Sequence, residues 1–200
     1  MSLISRLFGS KESAPSLGVM TLADRLKKLE KEAEDAEAGY KGTLLNKAGD
    51  FALRDGDAAR ALAYYGRAID AFLEDEQREA ARGVANKLIR VHPEAVRTLC
   101  TLLWLDLGAR HMATALMHLR DYIEAAIRVE MQPLAGAQIF EMARLAPQAD
   151  FLEAVADGLD ALDLEALASE VHGWTAAGGS PDAIEDGDLL APRHASRPRS

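Results

Sequence analysis

The sequence predicts an all-α fold in which short helices pack antiparallel between flexible termini. Apolar residues recur at helical spacing in one segment after another, and no window alternates Val, Ile and Thr as strands do. Glycine and proline fall mainly between these segments, where they end one helix and begin the next. The chain has 200 residues, of which 48 % are hydrophobic, and this composition suits one domain with its own core.

The first helix is expected to follow a flexible segment, residues 1–20, in which Gly, Ser and Pro cluster. Thr21 fits a helix N-cap, and Asp24 completes a weak capping box three residues later. The predicted helix, 21–38, has a heptad seam that fits docking on its own domain or pairing with a second chain. The seam residues are Leu22, Leu26, Leu29, Ala33 and Ala36.

Eight more helices follow from the same periodicity. They are predicted over 43–54, 58–73, 76–91, 94–107, 110–128, 132–146, 148–158 and 161–174. The breaks are placed at Asp55-Gly56, Asp75, His92-Pro93, Gly108, Gln132-Pro133, Ala146-Pro147 and Gly158. The loops are short, so consecutive helices must run antiparallel. The helix over 94–107 is apolar nearly all round, which predicts that it lies between neighbours on both sides.

Charge divides this helical domain, residues 21–176, into a neutral body and an acidic end. The formal net charge is −9, yet residues 41–144 hold 14 basic and 14 acidic groups. Residues 146–191 contain 11 acidic groups and no Lys or Arg. A neutral body offers no continuous basic face, so nucleic acid is not expected as a partner. The tail, 177–200, combines Gly, Pro and charge without periodicity and is expected to be disordered.

Residues 42–95 resemble the tetratricopeptide repeat, a helix–turn–helix unit of about 34 residues. Small residues recur where two helices of a unit approach each other, and an aromatic ring fills the remaining space. The residues that carry this signature are Ala48, Gly49, Gly56, Ala61, Tyr65, Ala68, Ala81 and Pro93. The resemblance implies a right-handed α-solenoid of stacked hairpins, with repeats over about 42–146 and the acidic helices of 148–174 as a cap.

The resemblance also implies a groove that holds a protein or peptide segment and is lined by the first helix of each unit. In the first unit this makes Asn46, Asp50 and Arg54 candidate partner-binding residues. The helix over 76–91 is the one basic element, and it is interpreted either as a solvated face or as a wall for an acidic peptide. Its candidates are Arg78, Arg82 and Arg90. Docking of the acidic segment 150–188 on this helix is a further hypothesis.

No catalytic residue, metal ligand or cofactor is predicted, since the sequence has no phosphate-binding loop, nucleophile elbow or CxxC motif. The single cysteine, Cys100, lies in an apolar run and is expected to be a buried, inert thiol. His111 and His118 share a helix at a spacing of seven residues and are expected to be exposed polar positions. Trp174 is expected to pack inward.

These observations favour a non-catalytic adaptor or scaffold in the cytoplasm, with a protein or peptide partner and without a cofactor. An alternative is an assembly subunit that forms a homo-oligomer through the helix over 21–38. A helical enzyme or a binder of small ligands has the least support. No segment approaches the roughly 20 apolar residues that span a bilayer, so a membrane is not expected as a partner.

Overall fold

The computed structural model describes residues 20–37, 39–146 and 148–179, which form nine α-helices and no strand. The helices are α1 (Leu22–Glu34), α2 (Lys41–Arg54), α3 (Ala58–Glu74), α4 (Arg78–Val91), α5 (Val96–Gly108), α6 (Met112–Arg128), α7 (Gln132–Leu145), α8 (Ala149–Ala161) and α9 (Glu165–Ala177). Consecutive helices pack against each other, which confirms the predicted all-α architecture. The segment predicted to be flexible lies outside the described residues except for Met20, as does the predicted tail beyond residue 179.

The start of α1 is the predicted capping box. The Thr21 hydroxyl accepts a hydrogen bond from the backbone N–H of Asp24 at 3.1 Å, and the Asp24 carboxylate accepts one from the Thr21 backbone N–H. The helix ends at Glu34, four residues before the predicted end. Farther along the connection to α2, the Gly39 N–H donates to the Asp75 carboxylate at 2.7 Å, so the α3–α4 turn holds this segment.

Five turns between helices share one backbone motif. The middle residue of each is left-handed, with φ between +58° and +85°, and the next N–H donates to the carbonyl five residues back. The middle residues are Gly56, Glu76, Arg110, Glu130 and Asp163. This Schellman arrangement satisfies carbonyls at the end of a helix. Because of these turns, α4 begins at Arg78 and α6 at Met112, each two residues later than predicted.

Gly158 does not break a helix, as the sequence had suggested, but lies inside α8. A Cβ atom at this position would lie 2.4 Å from the Ile123 Cδ1 atom on α6. The missing side chain therefore lets α8 lie close against α6. The break falls instead at the left-handed Asp163, and α9 consequently covers Glu165–Ala177 rather than 161–174.

Polar contacts between alternate helices show that the helices form two layers. In the odd-numbered layer, the Glu30 carboxylate of α1 accepts hydrogen bonds from Tyr64 and Arg67 of α3. Asp70 of α3 pairs in turn with Arg97 of α5. In the even-numbered layer, α2 is joined to α4 and α4 to the start of α6. The even-numbered helices from α2 to α8 begin at 41, 78, 112 and 149, so hairpins recur after 37, 34 and 37 residues.

Helix α5 contributes to both hydrophobic cores that the described residues form. Leu102 and Leu105 belong to the core formed with α1 to α4. Leu99, Leu103 and Leu107 belong to the core formed with α6 to α9. This confirms that the apolar helix lies between neighbours on both sides, and it makes α5 the structural link between the two halves.

The small residues of the repeat signature lie at close contacts between helices. Ala48, Ala61, Ala68 and Ala81 are fully buried. Gly49 on α2 faces the Tyr65 ring on α3, and a Cβ atom at Gly49 would lie 2.5 Å from that ring. Gly56 takes the left-handed position of the α2–α3 turn, whereas Pro93 follows the end of α4.

The two ends of the stack are also packed within the chain. On α1 the heptad residues Leu26, Leu29 and Ala33 are buried in the core shared with α2 to α4. A second chain could not use this seam without displacing it from that core. At the other end, α8 and α9 pack on α6 and α7. The hypothesis that the acidic segment 150–188 docks on the basic helix also concerns residues 180–188, which lie outside the described residues.

Substitution of Gly49 by Ala should destabilise the domain by about 1–3 kcal/mol, because the new methyl group must displace the Tyr65 ring. Gly83 is a matched control, since it is exposed in α4 and has no atom within 4 Å of an added Cβ. Gly83→Ala should stabilise the domain by about 0.5–1 kcal/mol. Urea unfolding measures both free energies, and equal shifts for the two variants would refute the close contact.

Candidate binding face on α2, α4 and α6

The predicted groove residues of α2 are used to bind α4. The Lys87 ammonium on α4 donates to the Asn46 side-chain oxygen at 3.0 Å and to both Asp50 carboxylate oxygens at 2.9 and 3.1 Å. The Tyr65 hydroxyl donates to Asp50 at 2.8 Å. Burial and this bond to a carboxylate raise the pKa of Tyr65, which therefore remains a donor. Asn46 and Asp50 thus position Lys87 instead of presenting free groups to a partner.

The exposed predicted cations of this face are Arg54, Arg78 and Arg90. The Arg54 guanidinium lies over the Phe51 ring at 4.7 Å and donates to the Asp50 backbone carbonyl. Within the described residues, the guanidinium groups of Arg78 and Arg90 have no hydrogen-bond or ion-pair partner. These two cations are available to a ligand.

Arg82, the remaining predicted cation, instead joins α4 to α5 and α6. Its side chain is only 16 % exposed, and Nη1 lies 3.3 Å from the Asp106 carboxylate of α5. Nη1 also lies 2.7 Å from the His111 Nδ1, and Nη2 donates to the Leu105 carbonyl at 3.0 Å. Arg82 is therefore largely buried and holds α4 against α5 and α6, so the interpretation of this side chain as part of a solvated face is wrong. Its role in binding a partner stays a prediction.

His118 is buried, contrary to the expectation of an exposed polar position. Its Nδ1 donates to the second Asp106 carboxylate oxygen at 2.7 Å. Asp106 is 2 % exposed, and a buried carboxylate needs partners. Arg82 pairs with one of its oxygens and the His118 ring with the other. His111, seven residues earlier, is exposed as predicted.

These groups line a pocket of about 460 Å³ between α4 and α6, called the α4–α6 pocket. Its lining comprises Arg82 and Asn86 of α4, Asp106 of α5, and residues 111–114, Met117 and His118 of the α6 region. The two thioether side chains, Met112 and Met117, add apolar surface to the polar wall. A pocket that combines apolar surface with a few convergent polar groups is typical of a binding site.

Sequence reasoning missed Asp106, although the sequence contained a signal. Asp106 is the only charged residue between Thr98 and Leu107 in a helix that was predicted to be buried on all sides. A charge at such a position needs a partner, because an unpaired buried carboxylate is strongly unfavourable. That requirement predicts a cation or a histidine from a neighbouring helix.

Two other predicted side chains are buried as expected. Cys100 is 3 % exposed and its thiol donates to Gln138 of α7. Desolvation raises the pKa of the Cys100 thiol to about 12. Trp174 is 8 % exposed, and its ring lies 4.9 Å from the Phe140 ring.

Among the described residues, no group of three or more His, Cys, Asp or Glu side chains could hold a metal ion. No helix in that part of the chain is both long and apolar enough to cross a bilayer. Comparison of the chain with protein-family models, with curated proteins and with solved structures finds no significant match.

Removal of the Asp106 carboxylate should destabilise the domain far more than removal of an exposed one. Asp106→Ala leaves the Arg82 charge buried without its carboxylate, and a loss of about 3–5 kcal/mol is expected. Asp70→Ala breaks an ion pair whose side chains are 41 and 44 % exposed, and this loss should stay below about 1 kcal/mol. Thermal and urea unfolding measure both, and similar losses would contradict the buried network.

The Cys100 thiol should be nearly unreactive in the native protein. With a pKa of about 12, only about one thiol in ten thousand is ionised at pH 8, and the side chain is buried. Labelling with Ellman's reagent should therefore be orders of magnitude slower in buffer than in 8 M urea. Equal labelling rates under the two conditions would show that the thiol is accessible.

Proposed function

We propose that the chain is a non-catalytic adaptor that binds a protein or peptide segment along the face formed by α2, α4 and α6. The observation that carries this proposal is the α4–α6 pocket, which places apolar and polar groups together on one layer of a stack of hairpins. Arg78 and Arg90 are exposed cations on α4, the helix that also carries Arg82 and Asn86 of the pocket. A segment in extended or helical form could contact the pocket and these cations together.

The repeat-like arrangement supports this use of the even-numbered layer. The spacing of 37, 34 and 37 residues between the starts of α2, α4, α6 and α8 is close to the repeat length of the tetratricopeptide family. In that family the first helix of each unit lines the groove. Assigning α2, α4 and α6 to this role is the part of the proposal that rests on resemblance, and the cytoplasmic location stays a prediction.

Assembly through α1 is less well supported, because its heptad residues are buried within the chain.

The pocket itself favours a different second candidate, a helical enzyme or small-ligand binder, since an Asp–His pair is a familiar acid–base arrangement. A covalent mechanism would also need a nucleophile beside His118. The Thr114 hydroxyl lies in the lining but donates to the His111 carbonyl at 2.9 Å. The arrangement therefore favours binding over covalent catalysis.

Site-specific photocrosslinking tests the proposed face. A benzoylphenylalanine at position 90 or 117, both exposed on the even-numbered layer, should crosslink the partner in the native cell. The same group at Ala63, exposed on α3 of the odd-numbered layer, should not. Arg90→Glu should reduce the yield from position 117. Crosslinks from position 63 alone would place the partner on the opposite layer and contradict the proposal.

A further inference from the structure

Exposed apolar side chains cluster where α6 ends and α7 begins, a surface called the α6–α7 corner. Its members are Ile127, Val129, Met131 and Leu134, which are 40, 44, 36 and 45 % exposed. Half of the large apolar side chains that are exposed in the described part of the chain lie here. They fall within eight residues around the tight turn at Glu130, so they form one patch. A contiguous apolar patch marks a surface that another segment covers, whereas single exposed apolar side chains do not.

Acidic side chains surround this patch. Glu130 is exposed in the turn itself. The Leu164 side chain occupies the space that a Cβ atom of Gly136 would take, so the α8–α9 connection lies against the first turns of α7. This contact brings the exposed Asp163 and Glu165 to the same corner. Within the described residues, none of the three carboxylates has an ion-pair partner.

The local cation does not offset these charges. Arg128 is the one Lys or Arg between residues 121 and 143, and its guanidinium pairs with the Glu94 carboxylate at 3.0 Å. Residues 146–191 add no Lys or Arg. The corner therefore combines an apolar centre with unpaired negative charge, and it favours an apolar segment that carries cations.

The chain contains one such segment outside the described residues. Its apolar residues are Leu3, Ile4, Leu7 and Phe8, which recur at helical spacing. Arg6 and Lys11 accompany them, and the one acid before residue 20 is Glu12. The other long segment outside the described residues, 180–200, has four acidic residues between 182 and 188, which the corner would repel. Charge complementarity thus selects residues 1–8.

The described chain begins at the same edge of the stack as the α6–α7 corner. Because consecutive helices run antiparallel, the start of α1 and the ends of α2, α4, α6 and α8 share one edge. The Arg25 guanidinium near the start of α1 lies 5.9 Å from the centre of the Phe51 ring near the end of α2, as this alternation requires. The end of α9, from which 180–200 continue, lies at the opposite edge.

The length of the connecting stretch fits the distance to the corner. Polar contacts join α1 to α3, α3 to α5 and α5 to α7 along the odd-numbered layer. Three steps of about 8–10 Å between helix axes place the corner about 30 Å from the start of α1. The stretch between Phe8 and Met20 spans at most about 40 Å when extended. Residues 1–8 can therefore reach the corner of their own chain.

We propose that residues 1–8 bind the α6–α7 corner of their own chain, with Leu7 and Phe8 on its apolar side chains and Arg6 beside its carboxylates. This inference does not rest on the proposed function. A second copy of the chain is a poorer occupant of the corner. Four side chains that are less than half exposed offer far less than the roughly 800 Å² that each partner of a stable dimer buries.

Paramagnetic relaxation in the ¹⁵N-labelled full chain tests this contact. Ser5→Cys carries a nitroxide without changing an apolar residue, while the buried Cys100 stays unmodified. The amide signals of Val129 and Glu130 should lose most of their intensity. The Arg110 amide in the α5–α6 turn, at the opposite edge, should keep its intensity. Unchanged intensity at the corner would overturn the proposal.

Variants on both sides of the contact show which side chains form it. Phe8→Glu adds a carboxylate to the segment and should restore the signals, whereas Phe8→Met should leave them broadened. Leu134→Glu changes an exposed side chain, so the fold should persist while the signals return. Its matched control is Leu53→Glu, which alters a 38 % exposed side chain at the end of α2 on the same edge and should change nothing. Signals that return with Leu53→Glu but not with Leu134→Glu would place the segment on the α2–α3 turn and contradict the proposal.

A mixed sample distinguishes binding within one chain from binding between two chains. The nitroxide-labelled chain without ¹⁵N is mixed with the ¹⁵N-labelled chain that carries no nitroxide. The proposal predicts that the corner amides keep their intensity in this mixture. If they broaden as much as in the singly labelled chain, the segment binds another copy, and the assignment to the same chain is overturned.

Discussion

The buried carboxylate of Asp106 is the interaction on which the candidate site depends. It is 2 % exposed and must be paired, which brings Arg82 from α4 to one oxygen and His118 from α6 to the other. Three helices are thereby held at one point. The same pairing fixes the His118 ring beside the α4–α6 pocket, which both residues line. A network that stabilises the packing of helices thus also sets the chemistry of the pocket.

The two-layer arrangement explains why this site lies where it does. Because Asp106 lies on the part of α5 that is enclosed by both cores, its carboxylate does not reach solvent. Its partners must come from the even-numbered helices packed over it. The Lys87 cluster joins α2 to α4 in that layer, and Arg82 joins α4 to the start of α6. The start of α6, which has no side-chain cap, and the α4–α6 pocket lie beside the contact between Arg82 and His111.

Much of the fold was predictable because its signals are local. The apolar circumference of α5, the capping box at Thr21 and the small residue at Gly49 each indicate one structural role. The left-handed turn at Glu76 carries no such signal, because glycine is the residue that typically marks a left-handed position in a sequence. Gly158 was ambiguous, since close packing and a helix break both favour glycine. His118 was misassigned because its partner, Asp106, lies on another helix.

The tautomers of the two histidines test the account most directly, since they follow from the hydrogen bonds around Asp106 and decide what the pocket can bind. A long-range ¹H–¹⁵N spectrum of the full chain at pH 8 reports them. The account predicts that neutral His118 is protonated at Nδ1 and that neutral His111 is protonated at Nε2. A His118 ring protonated at Nε2 instead would mean that Asp106 does not hold it, and would contradict the network.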